Sequence, residues 1–98
     1  VHIVSDNDQI KHISLYHYQS CPFCGFTREA IETLGLDIET RDILLQPAFR
    51  EELVAGGGKP QVPCLKIETD NGATRWLYES SDIIHYLKNN TVSLKACA

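Results

Sequence analysis

The sequence contains no apolar run near the ~20 residues that a membrane-spanning helix needs; Ile13 to Tyr18 is typical of its longest apolar stretches. Nothing in it is expected to span a bilayer, and it reads as a soluble chain. Positive charge is also scarce: 9 basic against 13 acidic side chains leave a formal charge of −4, which gives no attraction to a phosphate backbone or an anionic membrane surface. Nucleic acid and membrane are therefore not expected partners. Cysteine is too sparse and too irregularly spaced, at Cys21, Cys24, Cys64 and Cys97, for a disulfide-dense secreted mini-domain. The segment Val1 to Ile10 has no uninterrupted apolar core of a signal peptide, since Asp6, Asn7, Asp8 and Gln9 intervene. Cytoplasm is the default expectation, although a chain that starts at Val1 instead of methionine can have been trimmed.

What is present suffices for one domain: 98 residues with 43% hydrophobic content can bury a single modest core. Ile13 to Tyr18 is apolar and aromatic with little alternation, as expected of a central strand covered on both faces. Pro22 then suits the first turn of a helix, and Phe23, Phe26, Ala30 and Leu34 recur at helical spacing up to Gly35. Leu36 to Asp42 alternates like an edge strand. After Pro47 a short helix is expected, with Phe49, Leu53 and Val54 on one side, ended by Gly56-Gly57-Gly58. Val62 to Thr69 and Arg75 to Tyr78 read as a hairpin about Asp70-Asn71-Gly72. A last helix should follow, capped by Ser80 or Ser81, with Ile83, Ile84 and Leu87 inward. This order predicts an α/β fold, one four-stranded mixed sheet with three flanking helices. The domain is expected over residues 12–90, between an N-terminal extension (1–11) and a C-terminal tail (91–98) in which Cys97 is an exposed bystander.

The chemistry concentrates in Cys21-Pro22-Phe23-Cys24. A redox cysteine reacts as thiolate, and the unpaired N–H groups of a helix's first turn favour that anion. A cysteine just before Pro22 meets this condition, so Cys21 is the expected nucleophile. Cys24 follows one helical turn later on the same side and is the expected resolving thiol. Spacing alone leaves open a pair of core cysteines or half of a zinc site. The placement strand, dithiol, helix, with no second C-x-x-C and no H-x-x-x-H after it, favours redox chemistry. His2, His12, His17 and His85 show no ligand spacing, and no metal is expected.

Three segments carry a family resemblance. YQSCPFCGFTREAIETLGL resembles the first strand, C-P-x-C turn and first helix of glutaredoxins; GGGKPQVPCL resembles their proline-bearing strand; LYESSDIIHYL resembles the glutathione-binding segment shared by glutaredoxins of the glutathione-transferase type and transferase N-terminal domains. The resemblance spans about Ile13 to Lys88 and implies a thioredoxin fold. It further implies a cis Pro63, a Val62 backbone that pairs with bound glutathione, and Glu79 and Ser80 holding the γ-glutamyl end. Phe23, Gln61 and Lys59 are the remaining implied glutathione contacts, with Arg28 a weaker candidate. Two positions depart from the family pattern, Tyr18 where many members have lysine and Gln61 where threonine is usual, which bears on the glycine end of glutathione.

The implied activity is glutathione-dependent reduction of glutathione mixed disulfides and protein disulfides, by a monomer, with glutathione as reductant and glutathionylated or disulfide-bonded proteins as partners. Two alternatives stay open: a carrier module holding an iron–sulfur cluster through Cys21, and a thioredoxin-like reductase that does not use glutathione. Conjugating activity is not expected, because transferases with this domain continue into a helical domain. Cys64, after Pro63, reads as an inert apolar filler.

Overall fold

A computed structural model describes residues 10–97. Its elements are β1 (Ile10–His17), α1 (Pro22–Thr33), β2 (Glu39–Asp42), α2 (Pro47–Gly57), β3 (Cys64–Thr69), β4 (Thr74–Tyr78), α3 (Ser80–Asn89) and α4 (Thr91–Cys97). The sheet order is β2-β1-β3-β4, with β2 parallel to β1 and the other pairs antiparallel. The expected mixed sheet is present, and β2 occupies the edge.

β1 is buried on both faces, from Ile13 through His17. Successive side chains of a strand point to opposite faces, so β1 feeds two separate cores. Ile13 and Leu15, with Leu65 and Ile67 of β3, pack against Ile31 of α1, Ile83 and Leu87 of α3, and Leu94 of α4. Tyr16 and Cys64 face the other way, against Leu53 of α2 and Ile43. Leu53 is the buried residue of α2 and is fully enclosed, a burial worth about 1.5–3 kcal/mol. The Tyr16 hydroxyl donates to Glu52 Oε1 (2.9 Å) and accepts from Arg41 Nη1 (2.7 Å), which ties α2 to the sheet edge. Burial, then the Glu52 carboxylate, pushes the Tyr16 phenol up to about 12.

Local signals end the helices where expected. Gly35 adopts φ 71° after α1, and the bonds Leu36 N–H to Ile31 O and Gly35 N–H to Glu32 O (both 3.0 Å) close a Schellman motif. Gly58 (φ 96°) closes α2. Gly56 has a different reason to be glycine: a Cβ there would overlap the Trp76 indole, and one on Gly57 would overlap the Tyr78 hydroxyl.

Several expectations are corrected. Ile10 and Lys11 belong to β1, not to an extension, while residues 1–9 of that extension and the side chain of Cys97 lie outside the described residues. Leu36 and Ile38 are buried but precede β2, which starts at Glu39. On α1 the inward stripe is Cys24, Thr27 and Ile31, and Phe23 and Phe26 are 59% and 58% exposed. The stripe lies one residue, ~100° of helical rotation, away from the more apolar one that periodicity selects. Val54 of α2 is likewise exposed. Glu79, not Ser80 or Ser81, occupies the N-cap of α3, with no side-chain capping bond. Residues 91–97 form α4 instead of a tail, because Leu94, 3% exposed, completes the α1/α3 core. Among the described residues no helix is long and apolar enough to cross a membrane.

Although alanine is the better helix former, Gly56→Ala is expected to lower stability by about 1–3 kcal/mol, because the methyl group displaces the indole. Urea unfolding of the variant beside wild type measures this, and a stabilised variant would contradict the close approach.

Candidate active site

The C-terminal end of β1, the N-terminal end of β3 and the C-terminal end of β4 meet at one edge, since Cys64 is paired with both Tyr16 and Tyr78. The starts of α1 and α3 follow directly from β1 and β4. Cys21, Pro63 and Glu79 therefore share one end of the sheet, although the chain separates them widely.

Leaving β1, the chain makes a turn in which the Cys21 N–H donates to the Tyr18 carbonyl (3.2 Å). Cys21 is the N-cap of α1, in extended backbone conformation (φ −77°, ψ 119°), and Pro22 takes the first turn, where a missing N–H costs nothing. The Cys21 sulfur accepts the Cys24 backbone N–H at 3.3 Å. It thus fills the place that a serine or aspartate oxygen fills at an ordinary N-cap, and negative charge on it would face the positive end of the helix.

Cys24 lies one turn inward and is fully buried. Burial, then the hydrogen bond with Cys21, pushes its thiol up to about 12. The two thiols are thus differentiated: one at the helix mouth, the other held protonated at neutral pH. Both are free, as is Cys64. Cys64 is fully enclosed as well, and burial pushes its thiol up to about 11.

Val62–Pro63 is cis and Pro63 is buried. Gln61 Nε2 donates to Glu79 Oε2 at 3.0 Å, so two of the sequence candidates meet. Glu79 holds φ 73°, a region that non-glycine residues rarely occupy. Its carbonyl accepts the Ile83 N–H (3.0 Å), and Ser80 starts α3. The first-turn N–H groups of α3 consequently have no side-chain cap. Lys59 is tied to Tyr78, whose hydroxyl donates to the Lys59 carbonyl (2.9 Å) while Lys59 Nζ lies 4.7 Å from the ring centroid. Phe23 meets Phe26 edge to face at 6.3 Å between centroids.

Arg28 and His17 hold positions that the sequence reading did not anticipate. Arg28 Nη1 bonds His17 Nδ1 (2.9 Å) and reaches the Tyr18 carbonyl (3.4 Å), and Nη2 donates to the Gln19 carbonyl (3.2 Å). The guanidinium is thus committed to the turn before the dithiol. The available signal was spacing: Arg28 stands four residues after Cys24, on the same side of the helix. Because an arginine has only donors, His17 Nδ1 must accept, which fixes the neutral tautomer. Burial and then Arg28 hold the His17 pKa below its ordinary value, against a weaker pull from Asp42.

The arrangement is that of a thioredoxin-like fold carrying a reduced dithiol at a helix N-terminus. Residues 15–92 match the family model described as the glutathione S-transferase N-terminal domain, and the chain belongs to that family. Among solved structures, maleylacetoacetate isomerase from Anaeromyxobacter dehalogenans with bound glutathione is 28% identical, over 87% of this chain and 39% of its own, with a TM-score of 0.64. Glutaredoxin 2 from Salmonella typhimurium in complex with glutathione is 30% identical, over 81% of this chain and 34% of its own, with a TM-score of 0.63. Glutaredoxin from Brucella melitensis, 16% identical over 91% of this chain and 92% of its own, shares the fold at a TM-score of 0.58. No curated protein sequence matches the chain significantly. The chain spans little more than a third of the isomerase and of glutaredoxin 2.

Two outcomes follow from the burial of these groups. At neutral pH, iodoacetamide should leave Cys24 and Cys64 unmodified in the native protein and modify both in urea; peptide mass mapping reads this, and native labelling of Cys24 as fast as in urea would contradict its enclosure. Because folding holds His17 neutral, its contribution to stability is present above the ordinary value of 6.5 and is lost as pH falls below it. The urea midpoint should therefore decline below that pH more steeply in wild type than in His17→Gln.

Proposed function

We propose that this domain is a glutathione-dependent thiol–disulfide oxidoreductase of the C-P-F-C glutaredoxin type, acting on glutathione mixed disulfides and on protein disulfides. The observation that carries the reading is Cys21 at the N-cap of α1, its sulfur accepting the Cys24 N–H at 3.3 Å. Family membership and the glutathione bound in the isomerase and in glutaredoxin 2 supply the ligand class.

In the proposed cycle the Cys21 thiolate attacks the glutathione sulfur of a protein–glutathione mixed disulfide. A Cys21–glutathione disulfide forms and the protein thiolate leaves, taking up a proton. A second glutathione, as thiolate, attacks the glutathione sulfur of that intermediate; oxidised glutathione departs and Cys21 is restored as thiolate. The second step needs no thiolate at Cys24, in keeping with a thiol that burial pushes up to about 12. On a protein disulfide, Cys24 instead closes on Cys21 and releases the reduced protein.

Glutathione is proposed to lie across the cis-proline edge. The Val62 backbone would pair with the tripeptide beside Pro63. The uncapped start of α3 at Ser80 suits the γ-glutamyl carboxylate, and Glu79 suits its ammonium group. Lys59 is the proposed contact for the glycine end and Phe23 for the apolar part of the ligand, whereas Gln61, bonded to Glu79 at 3.0 Å, is proposed at the γ-glutamyl end in place of the glycine end that the sequence suggested. The protein acts on this reading as a cytoplasmic monomer.

The test is glutathione-dependent turnover of a small mixed disulfide. Wild type and Cys24→Ser are expected to be active and Cys21→Ser to fall to the uncatalysed rate. An inactive wild type would refute the proposal, and iron analysis of the protein purified without air would then decide for or against cluster binding.

A further inference from the structure

The segment between α2 and β3 carries Lys59, Gln61 and Val62, three of the residues proposed to meet glutathione, together with the cis Pro63, yet little of its backbone is tied down. Pro60 and Pro63 have no N–H to donate, and among the described residues no backbone–backbone hydrogen bond joins residues 59–62 to the rest of the chain. Side chains at the end of β4 hold the segment instead. The Tyr78 hydroxyl donates to the Lys59 carbonyl at 2.9 Å, and the ring of the same tyrosine faces Lys59 Nζ, 4.7 Å from its centroid. One residue further on, Glu79 Oε2 accepts from Gln61 Nε2 at 3.0 Å. Consecutive residues, Tyr78 and Glu79, thus grip alternate residues of the loop, Lys59 and Gln61. Tyr78 is itself fixed independently of that loop: it pairs with Cys64 in the sheet, packs against the core of Tyr16 and Leu53, and sets its hydroxyl against Gly57, where a Cβ would overlap it.

We propose that Tyr78 is a positioning residue for glutathione: its hydroxyl, placed by β4 and by the close approach of Gly57, holds the Lys59 carbonyl and so sets the path of Lys59 to Val62 along which the tripeptide lies. Tyr78 acts through the loop and needs no contact with the ligand. A loop already held in its binding conformation loses little freedom when a ligand arrives, whereas a released loop has to be ordered as part of binding, which weakens the complex. The effect falls on the tripeptide and not on the Cys21 sulfur, because the clasp joins β4 to the α2–β3 segment and leaves the start of α1 untouched.

The proposal rests on glutathione lying across the cis-proline edge, and its test separates the two. The full chain carrying Cys24→Ser, in which the intramolecular disulfide cannot form, is equilibrated with glutathione and 2-mercaptoethanol and their disulfides. The two mixed disulfides are quantified on the Cys21 peptide by mass spectrometry after acid quench, and the same competition on the urea-unfolded chain gives the reference. The two thiols trade places on one sulfur, one disulfide bond forming as another breaks, so the acidity of Cys21 cancels from the ratio and the contacts of the tripeptide remain. Tyr78→Phe, which removes the hydroxyl and keeps the ring, is expected to lower the preference for glutathione roughly threefold to tenfold, the range of one hydrogen bond. Gly57→Ala, whose Cβ would displace the hydroxyl, should act in the same direction and carries the measurement should Tyr78→Phe not fold. Tyr16→Phe, which removes a hydroxyl bonded to Glu52 and Arg41 and not to the loop, should leave the preference unchanged. A preference in Tyr78→Phe equal to that of its parent, or an equal fall in Tyr16→Phe, would overturn the assignment and leave glutathione at this edge. A parent chain with no more preference when folded than in urea would remove glutathione from the edge and the role of Tyr78 with it.

Discussion

Everything in the domain hangs on a strand buried on both sides. From Ser14 to Tyr16, β1 has ladder partners along both edges, so its backbone polar groups there are satisfied without water, and the buried side chains from Ile13 to His17 must divide between two cores. That division sets the layers: α1, α3 and α4 cover one face and α2 the other. It also sets the place of the chemistry. A chain leaving such a strand must turn within a few residues to re-cover it, and here the turn delivers Cys21 to the first turn of the covering helix.

The same covering creates the tension in the site. α1 is held against the sheet by small side chains at its start, Cys24 and Thr27, which are fully buried. Packing thus uses one of the two thiols as filler, and burial opposes its ionisation. Arg28, one turn further along, reaches back over the turn from β1 and holds His17 and the Tyr18 and Gln19 carbonyls. His17 completes this arrangement in its neutral form, so a residue that looks like core on the strand is also the anchor of a surface cation.

Much of the architecture was legible in the sequence, because its signals were strong: the unbroken apolar segment of β1, Pro22 and Pro47 at helix starts, Gly35 and Gly58 at helix ends, and the turn at Gly72 with φ 86°. What was not legible depended on tertiary context. Phe23 and Phe26 outrank Cys24 and Thr27 in hydrophobicity, yet the helix turns the smaller pair inward, where α1 must fit against β1 and α3. Leu94 sits in a polar-looking stretch and only its docking on the core makes α4. Glu79 at the N-cap requires a positive φ that no local pattern encodes. Of the site, the placement of Cys21 at a helix start agrees with motif reading, whereas the contact of Gln61 with Glu79 joins two residues that motif reading sets at opposite ends of glutathione. The Arg28–His17 brace depends on a contact between a strand and a helix, which spacing within one element cannot reveal.

The close approach of α2 to β4 at Gly56 has a further consequence. The chain has a single tryptophan, Trp76, and its indole is pinned between Gly56, Lys66 (5.4 Å to the ring centroid) and Tyr16 (5.6 Å between centroids). It therefore lies on the α2 side of the sheet, while Cys21 and Cys24 belong to the helix on the opposite side. The domain carries its optical probe and its redox centre in different layers, with β1 as the partition, so the intrinsic fluorescence is a property of one core and the thiol chemistry of the other.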